Sequence, residues 1–305
     1  MNVERPAGGG CVTQFDRDMY CLRCAGFLVF RDFVPLQTLQ RIKEAAEQFA
    51  LEVSRYVNIK GIADRSYNWP LQYTRCLYAV NTEIQDIAMD PKILRIVHEY
   101  LCNPVLRDCL LQANMVEPLT VARGVSGEVS YHRDTLWPGT TIEPMYLHAF
   151  VLLDDFTALN GATVVVPGSH GEREPGYYFK DSDPRLPQGG IRYRVYERTY
   201  FGSAVTLSAP RGSVIFLDPM CIHTQGNNVT DSTRSLVNIT FRAASTTGEP
   251  PMLNARSIAE RHARVRMRSD FIGMLECDSR LPAYYGPLGS ESHLGSRSRA
   301  RGIAT

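Results

Sequence analysis

Residues two apart on an extended strand point the same way, so His132-Arg133-Asp134 offers an imidazole and a carboxylate to one ion. A single HxD arises easily by chance in a chain with seven histidines, and its meaning depends on context. The context is a later apolar run, Val214-Ile215-Phe216-Leu217, which passes through Asp218 and a Pro-Met-Cys-Ile turn to His223. Two histidines and one carboxylate occupy one face of a ferrous ion and leave about three coordination sites open, the arrangement used by non-haem oxygenases. Zinc accepts the same donors, but its catalytic chemistry needs only one open position. His132, Asp134 and His223 are therefore the candidate metal ligands and catalytic residues.

The open sites need an occupant, and Arg234 supplies a hint. It begins the alternating run Leu236-Val237-Asn238-Ile239-Thr240-Phe241, from which a guanidinium could reach back toward the metal. The planar fork of arginine gives a carboxylate two parallel charge-assisted hydrogen bonds; the alternative for Arg234 is an ordinary surface ion pair. The other histidines are weaker candidates. His148 lies within a strand and could face a pocket, His98 lies in a helix, and His170 is expected to bond locally within its Pro-Gly-Ser-His turn. His262 and His293 have no partner in view. Asp154-Asp155 reads as a turn cap or a solvated edge rather than an acid–base pair.

Elements able to hold these side chains are legible around them. Leu36, Leu39, Ile42, Ala46, Phe49 and Val53 recur at helical spacing over 35–56, and Asp90-Pro91 supplies the cap and first position of a second helix. After Val105 the texture changes to short β-branched runs broken by Gly, Pro and Asn, at 147–153, 162–166, 213–217 and 236–241. Strands in succession after a helical start predict a mainly β fold with flanking α: a closed or sandwiched β core, not alternating βαβ units. One domain over 1–285 is expected. Its segment 171–202, rich in Tyr and Phe among nearly cancelling charges, suits a lid over a pocket or a plain surface excursion. The last residues, 286–305, read as a flexible tail.

With 44% hydrophobic and 21% charged residues, the chain can bury a core and a small ligand within it. Thirty-three basic residues against 32 acidic ones leave a net charge of +1, so no global field favours nucleic acid or anionic lipid. No apolar run approaches a membrane span and no secretory pattern opens the chain; a cytoplasmic protein acting on a small molecule is expected, as monomer or homodimer. The eight cysteines lack framework or zinc-module spacing, and the Cys21-x-x-Cys24 pair has no second pair to join.

Over about 15–241 the chain resembles the phytanoyl-CoA dioxygenase family of iron(II)- and 2-oxoglutarate-dependent oxygenases. The resemblance rests on the HxD, on the block Asn160-Gly-Ala-Thr-Val-Val-Val-Pro-Gly-Ser-His170, and on His223 followed eleven positions later by Arg234. It implies a double-stranded β-helix, a cupin-like jelly-roll core whose mouth holds Fe(II), with 2-oxoglutarate and O2 as cosubstrates. His132, Asp134 and His223 match the ligand positions, and Arg234 the arginine that binds the far carboxylate of 2-oxoglutarate. Arg75 falls near a basic residue that helps hold it, and Thr163 is grouped with the cosubstrate-binding positions. Phe150 stands where some relatives have tryptophan beside the cosubstrate, and Gln225 where some have a small hydroxyl residue. Both departures bear on pocket shape. Asp134 disfavours halogenation, since related halogenases have a small residue there. The reaction implied is hydroxylation, or desaturation, cyclisation or epoxidation, of a small organic substrate such as a natural-product intermediate, forming succinate and CO2. The alternatives are a zinc- or other metal-dependent isomerase or hydrolase on the same barrel, and a catalytically silent binding module.

Overall fold

A computed structural model describes residues 12–59, 73–74, 76–114, 133, 144–171, 203–226, 228–244, 256, 259–260 and 263–275. In chain order these form α1 (Gln14–Ala25), β1 (Phe27–Phe30), α2 (Leu36–Ile59), β2 (Tyr73–Thr74), α3 (Thr82–Ala88), α4 (Pro91–Tyr100), β3 (Pro104–Asn114), β4 (Tyr146–Leu152), β5 (Thr163–Val165), β6 (Val205–Thr206), β7 (Val214–Leu217), β8 (His223–Gln225), β9 (Arg234–Ala243) and α5 (Ser269–Met274). The strands build a six-stranded sheet in the order β1-β7-β4-β9-β3-β2 and a three-stranded sheet in the order β6-β5-β8. All the pairings between these strands are antiparallel.

Alternation along the strands sorts side chains into two cores. Leu147, Ala149 and Val151 of β4, with Val214 and Phe216 of β7 and Val237, Ile239 and Phe241 of β9, face the helices and pack on Leu22, Ile42, Ile93 and Val97. The intervening Phe150, Leu152, Ile215, Leu217 and Leu236 face the other way, where they meet Ala162, Val165 and Leu207 around the small sheet. The large sheet is thus backed by helices and the small sheet closes its other face. Every residue of β4 and β9 is buried, as expected of strands covered on both sides.

The helices form where caps and apolar spacing agree. Asp90 accepts the Lys92 N–H at 2.8 Å with Pro91 next in line, and Ile93, Ile96, Val97 and Tyr100 make one buried stripe. The helix expected over 35–56 is α2, Leu36–Ile59, and the four expected strands are β4, β5, β7 and β9, each within a few residues of its expected limits. Three helices went unread: α1, closed at its start by a Thr13–Asp16 capping box, α3, capped by Asn81, and the short α5, which follows Arg268. Gly26 ends α1 with φ +83°, and a Cβ there would lie 2.7 Å from His170 Nδ1. Only glycine suits both the left-handed turn and the close approach. The possible lid at 171–202 and the tail at 286–305 lie outside the described residues. No helix among the described residues is long and apolar enough to cross a membrane.

Candidate active site

His223 opens β8 directly opposite Val165 of β5, and Gln225 stands opposite Thr163. Val165 belongs to the core between the sheets, so His223, Gln225 and Thr163 share that inward face by strand alternation. Across the interior, Phe150 and His148 occupy the inward positions of β4, and Arg234, Asn238 and Thr240 those of β9. Five residues expected to surround the metal and cosubstrate, namely Phe150, Thr163, His223, Gln225 and Arg234, therefore line one lumen. His132, Asp134 and Arg75 lie outside the described residues.

The imidazole of His223 is buried at 6% exposure and its Nδ1 lies 2.7 Å from the Cys221 carbonyl oxygen. A carbonyl only accepts, so Nδ1 carries the proton and the lone pair of the neutral ring sits on Nε2. A backbone carbonyl holding the non-ligating nitrogen in this way is the usual support of a metal-bound histidine. The donor chemistry of His223 thus fits a metal ligand.

The turn that delivers His223 is fixed by Asp218, just past the end of β7. The Asp218 N–H donates to Gly26 O at 2.8 Å, and its carbonyl accepts the Cys221 N–H at 2.9 Å. Its carboxylate accepts the Met220 N–H at 2.7 Å and the Tyr100 hydroxyl at 2.6 Å. Burial pushes the carboxyl above its ordinary 3.8, and the hydrogen bonds from Tyr100 and Met220 oppose the rise. A raised folded value means that this group's stabilisation is complete below about pH 4 and declines as pH climbs through the folded value. Asp218→Asn, which keeps one accepting oxygen, should flatten that decline: urea titrations of both proteins should converge or cross between pH 4 and 8. A parallel pair of curves would contradict it.

Arg234 is 2% exposed, which excludes the surface ion pair. Its guanidinium donates to Gly161 O and lies 4.3 Å above the Phe156 ring, so the charge is held on the inner side of the β4–β5 connection. Such a buried, fork-shaped cation suits a carboxylate ligand. His148 stacks on Phe150 with ring centroids 5.6 Å apart, and its Nδ1 lies 3.1 Å from Thr240 Oγ1. That hydroxyl in turn donates to Asn238 at 3.3 Å, extending a polar line along the inner face of β9.

Other expectations meet different outcomes. His98 is exposed on α4. Cys21 and Cys24 are exposed free thiols on α1. Asp154 accepts Lys43 at 2.6 Å and the Ser235 N–H at 2.9 Å, and Asp155 accepts the Arg211 N–H at 2.8 Å, so the pair ties a turn together. His170 does not bond locally: its Nε2 lies 2.9 Å from Arg23 O of α1. Chain topology brings the end of α1 against the Pro-Gly-Ser-His turn, a contact that spans 147 residues and leaves no local trace in the sequence. Sequence reasoning also gave no role to Tyr100, Asp218 and Ser169, whose only local signals were an aromatic at the end of a helical stripe, an acid just past a strand and membership of the Pro-Gly-Ser-His block.

Two facing antiparallel sheets with a polar, inward-facing mouth define a jelly-roll barrel protein, a double-stranded β-helix. Among solved structures, HygX from Streptomyces hygroscopicus with iron bound is 15% identical, with a TM-score of 0.51 over 86% of this chain and 95% of that one. EctD from S. alaskensis with 2-oxoglutarate and 5-hydroxyectoine is 16% identical, with a TM-score of 0.54 over 77% and 78%. At such identities the likeness speaks for the fold. Human peroxisomal phytanoyl-CoA dioxygenase is 23% identical over 237 residues, which cover 72% of this chain and 65% of that protein, just under two thirds of its length. The phytanoyl-CoA dioxygenase (PhyH) family model matches residues 22–236. The chain belongs to this family.

Proposed function

We propose that the protein is an iron(II)- and 2-oxoglutarate-dependent oxygenase, with His132, Asp134 and His223 as metal ligands and Arg234 as the clamp on the far carboxylate of 2-oxoglutarate. The observation that carries this reading is the pairing, across one lumen, of a histidine presenting its Nε2 lone pair with a buried guanidinium. When bound, ferrous iron with 2-oxoglutarate and O2 supplies an oxidant for an unactivated C–H bond, and one oxygen atom goes to the substrate and one to succinate, with release of CO2. The chain's own residues bind, orient and exclude. Arg234 fixes one end of the cosubstrate and so sets which way its keto-acid end points. Phe150 and Leu152 give the lumen an apolar wall that keeps water from the reacting atoms, and Gln225 with Thr163 supplies hydrogen-bonding groups on the facing wall. As a carboxylate ligand, Asp134 would take the coordination position that a halide needs. The substrate is a small organic molecule, such as a natural-product intermediate, acted on in the cytoplasm without nucleic-acid or membrane partners.

The test is spectroscopic. Under anaerobic conditions the protein with iron(II) and 2-oxoglutarate should develop the weak visible charge-transfer band of the chelate. Absence of the band from correctly folded protein would overturn the assignment, and a zinc isomerase or hydrolase would also release no succinate.

A further inference from the structure

Ser169, in the turn after β5, lies between two segments that the metal site needs in register. Its carbonyl accepts a hydrogen bond from the Arg133 guanidinium at 2.9 Å. Its hydroxyl accepts the Ile222 N–H at 2.7 Å and donates to Val166 O at 2.7 Å. By sequence, Arg133 separates His132 from Asp134, and Ile222 directly precedes His223. One wholly buried residue, at 0% exposure, thus touches the neighbours of all three proposed ligands.

The hub is itself anchored. The Gly168 N–H donates to Ala25 O at 2.9 Å and His170 bonds Arg23 O, so the turn rests on the end of α1. The Val166 N–H donates to Ile222 O at 2.8 Å, and the Cys221 thiol donates to Val166 O at 3.1 Å.

We propose that Ser169 and Arg133 are positioning residues that set the spacing between the HxD segment and His223. The proposal rests on the metal-site reading above. Supports of this kind orient the ligands, and their loss typically weakens metal binding about 10–100-fold.

Cobalt(II) replaces iron as the probe, because its visible d–d bands report ligand geometry and its binding is measured without turnover. Full-length wild type, Ser169→Ala, Ser169→Thr and Arg133→Met are titrated with cobalt(II) well below their melting temperatures. Ser169→Ala and Arg133→Met should each weaken binding by about tenfold or more and alter the d–d spectrum. Ser169→Thr, which keeps the hydroxyl, should stay within about threefold of wild type, on the same scale of effects. Altered melting with unchanged cobalt affinity and spectrum would make Ser169 a turn-stabilising residue only and overturn the proposal. Should Ser169→Ala fail to fold, Arg133→Met decides alone. A wild type that binds no cobalt, or His132→Ala and His223→Ala proteins that bind it as well as wild type, would sink the metal-site reading itself.

Discussion

Arg234→Ala should raise the 2-oxoglutarate concentration needed for half-maximal succinate formation by about 100-fold, while the iron requirement moves only a few-fold. Hydrogen bonds to charged groups are worth about 1.5–3 kcal/mol each. Losing a two-pronged contact with some compensation from water therefore costs about 3 kcal/mol, or two powers of ten. The residue also donates to Gly161 O and stacks over Phe156, so some loss of stability will accompany the change. The ratio of the two requirements separates the effects: a misfolded site loses iron and cosubstrate together, whereas a missing clamp loses the cosubstrate alone. Arg234→Lys sharpens the test, because lysine keeps the charge but not the fork. It should fall between the other two proteins, nearer alanine if bidentate geometry matters most. Equal rises in both requirements would remove Arg234 from the site.

The fold was legible wherever side-chain chemistry and local periodicity agreed. β4, β5, β7 and β9 are β-branched runs bounded by turn residues, and α2 and α4 carry one apolar stripe each, so burial and propensity pointed the same way. α1 escaped because only Met19 and Leu22 of its twelve residues are buried; its signature was the capping box and the glycine stop, not its stripe. The inward placement of Arg234 could be anticipated from alternation with Leu236 and Asn238. Alternation cannot say what lies across a barrel, however, so the approach of Gly161 and Phe156 could not be. Ser169 and His170 show the same limit. Their sequence block was recognisable, but their partners at Arg133, Ile222 and Arg23 depend on how distant segments are brought together. Asp218 is a further instance: next to Pro219 it reads as a turn acid, and only the docking of α4 beside it supplies the Tyr100 hydroxyl that makes it a buried bolt.

His223→Ala should lower succinate formation more than about a thousandfold and erase the charge-transfer band, an effect beyond the 10–100-fold expected of supporting residues. The ring is buried and held at Nδ1 by Cys221 O, so alanine removes a preoriented donor that no neighbouring water can replace at the same point. His132→Ala should match it in size. The more discriminating result is the double substitution, because groups that act as one unit are not additive. If both imidazoles grip one ion, removing the first already empties the site, and His132→Ala/His223→Ala should retain about the same residual rate as either single variant. If the two histidines acted separately, one in the reaction and one in holding the barrel together, their losses would multiply and the double variant would fall far below both. Rates from three variants, with circular dichroism to show that each keeps its β structure, thus decide whether residues 91 positions apart in the chain serve a single centre.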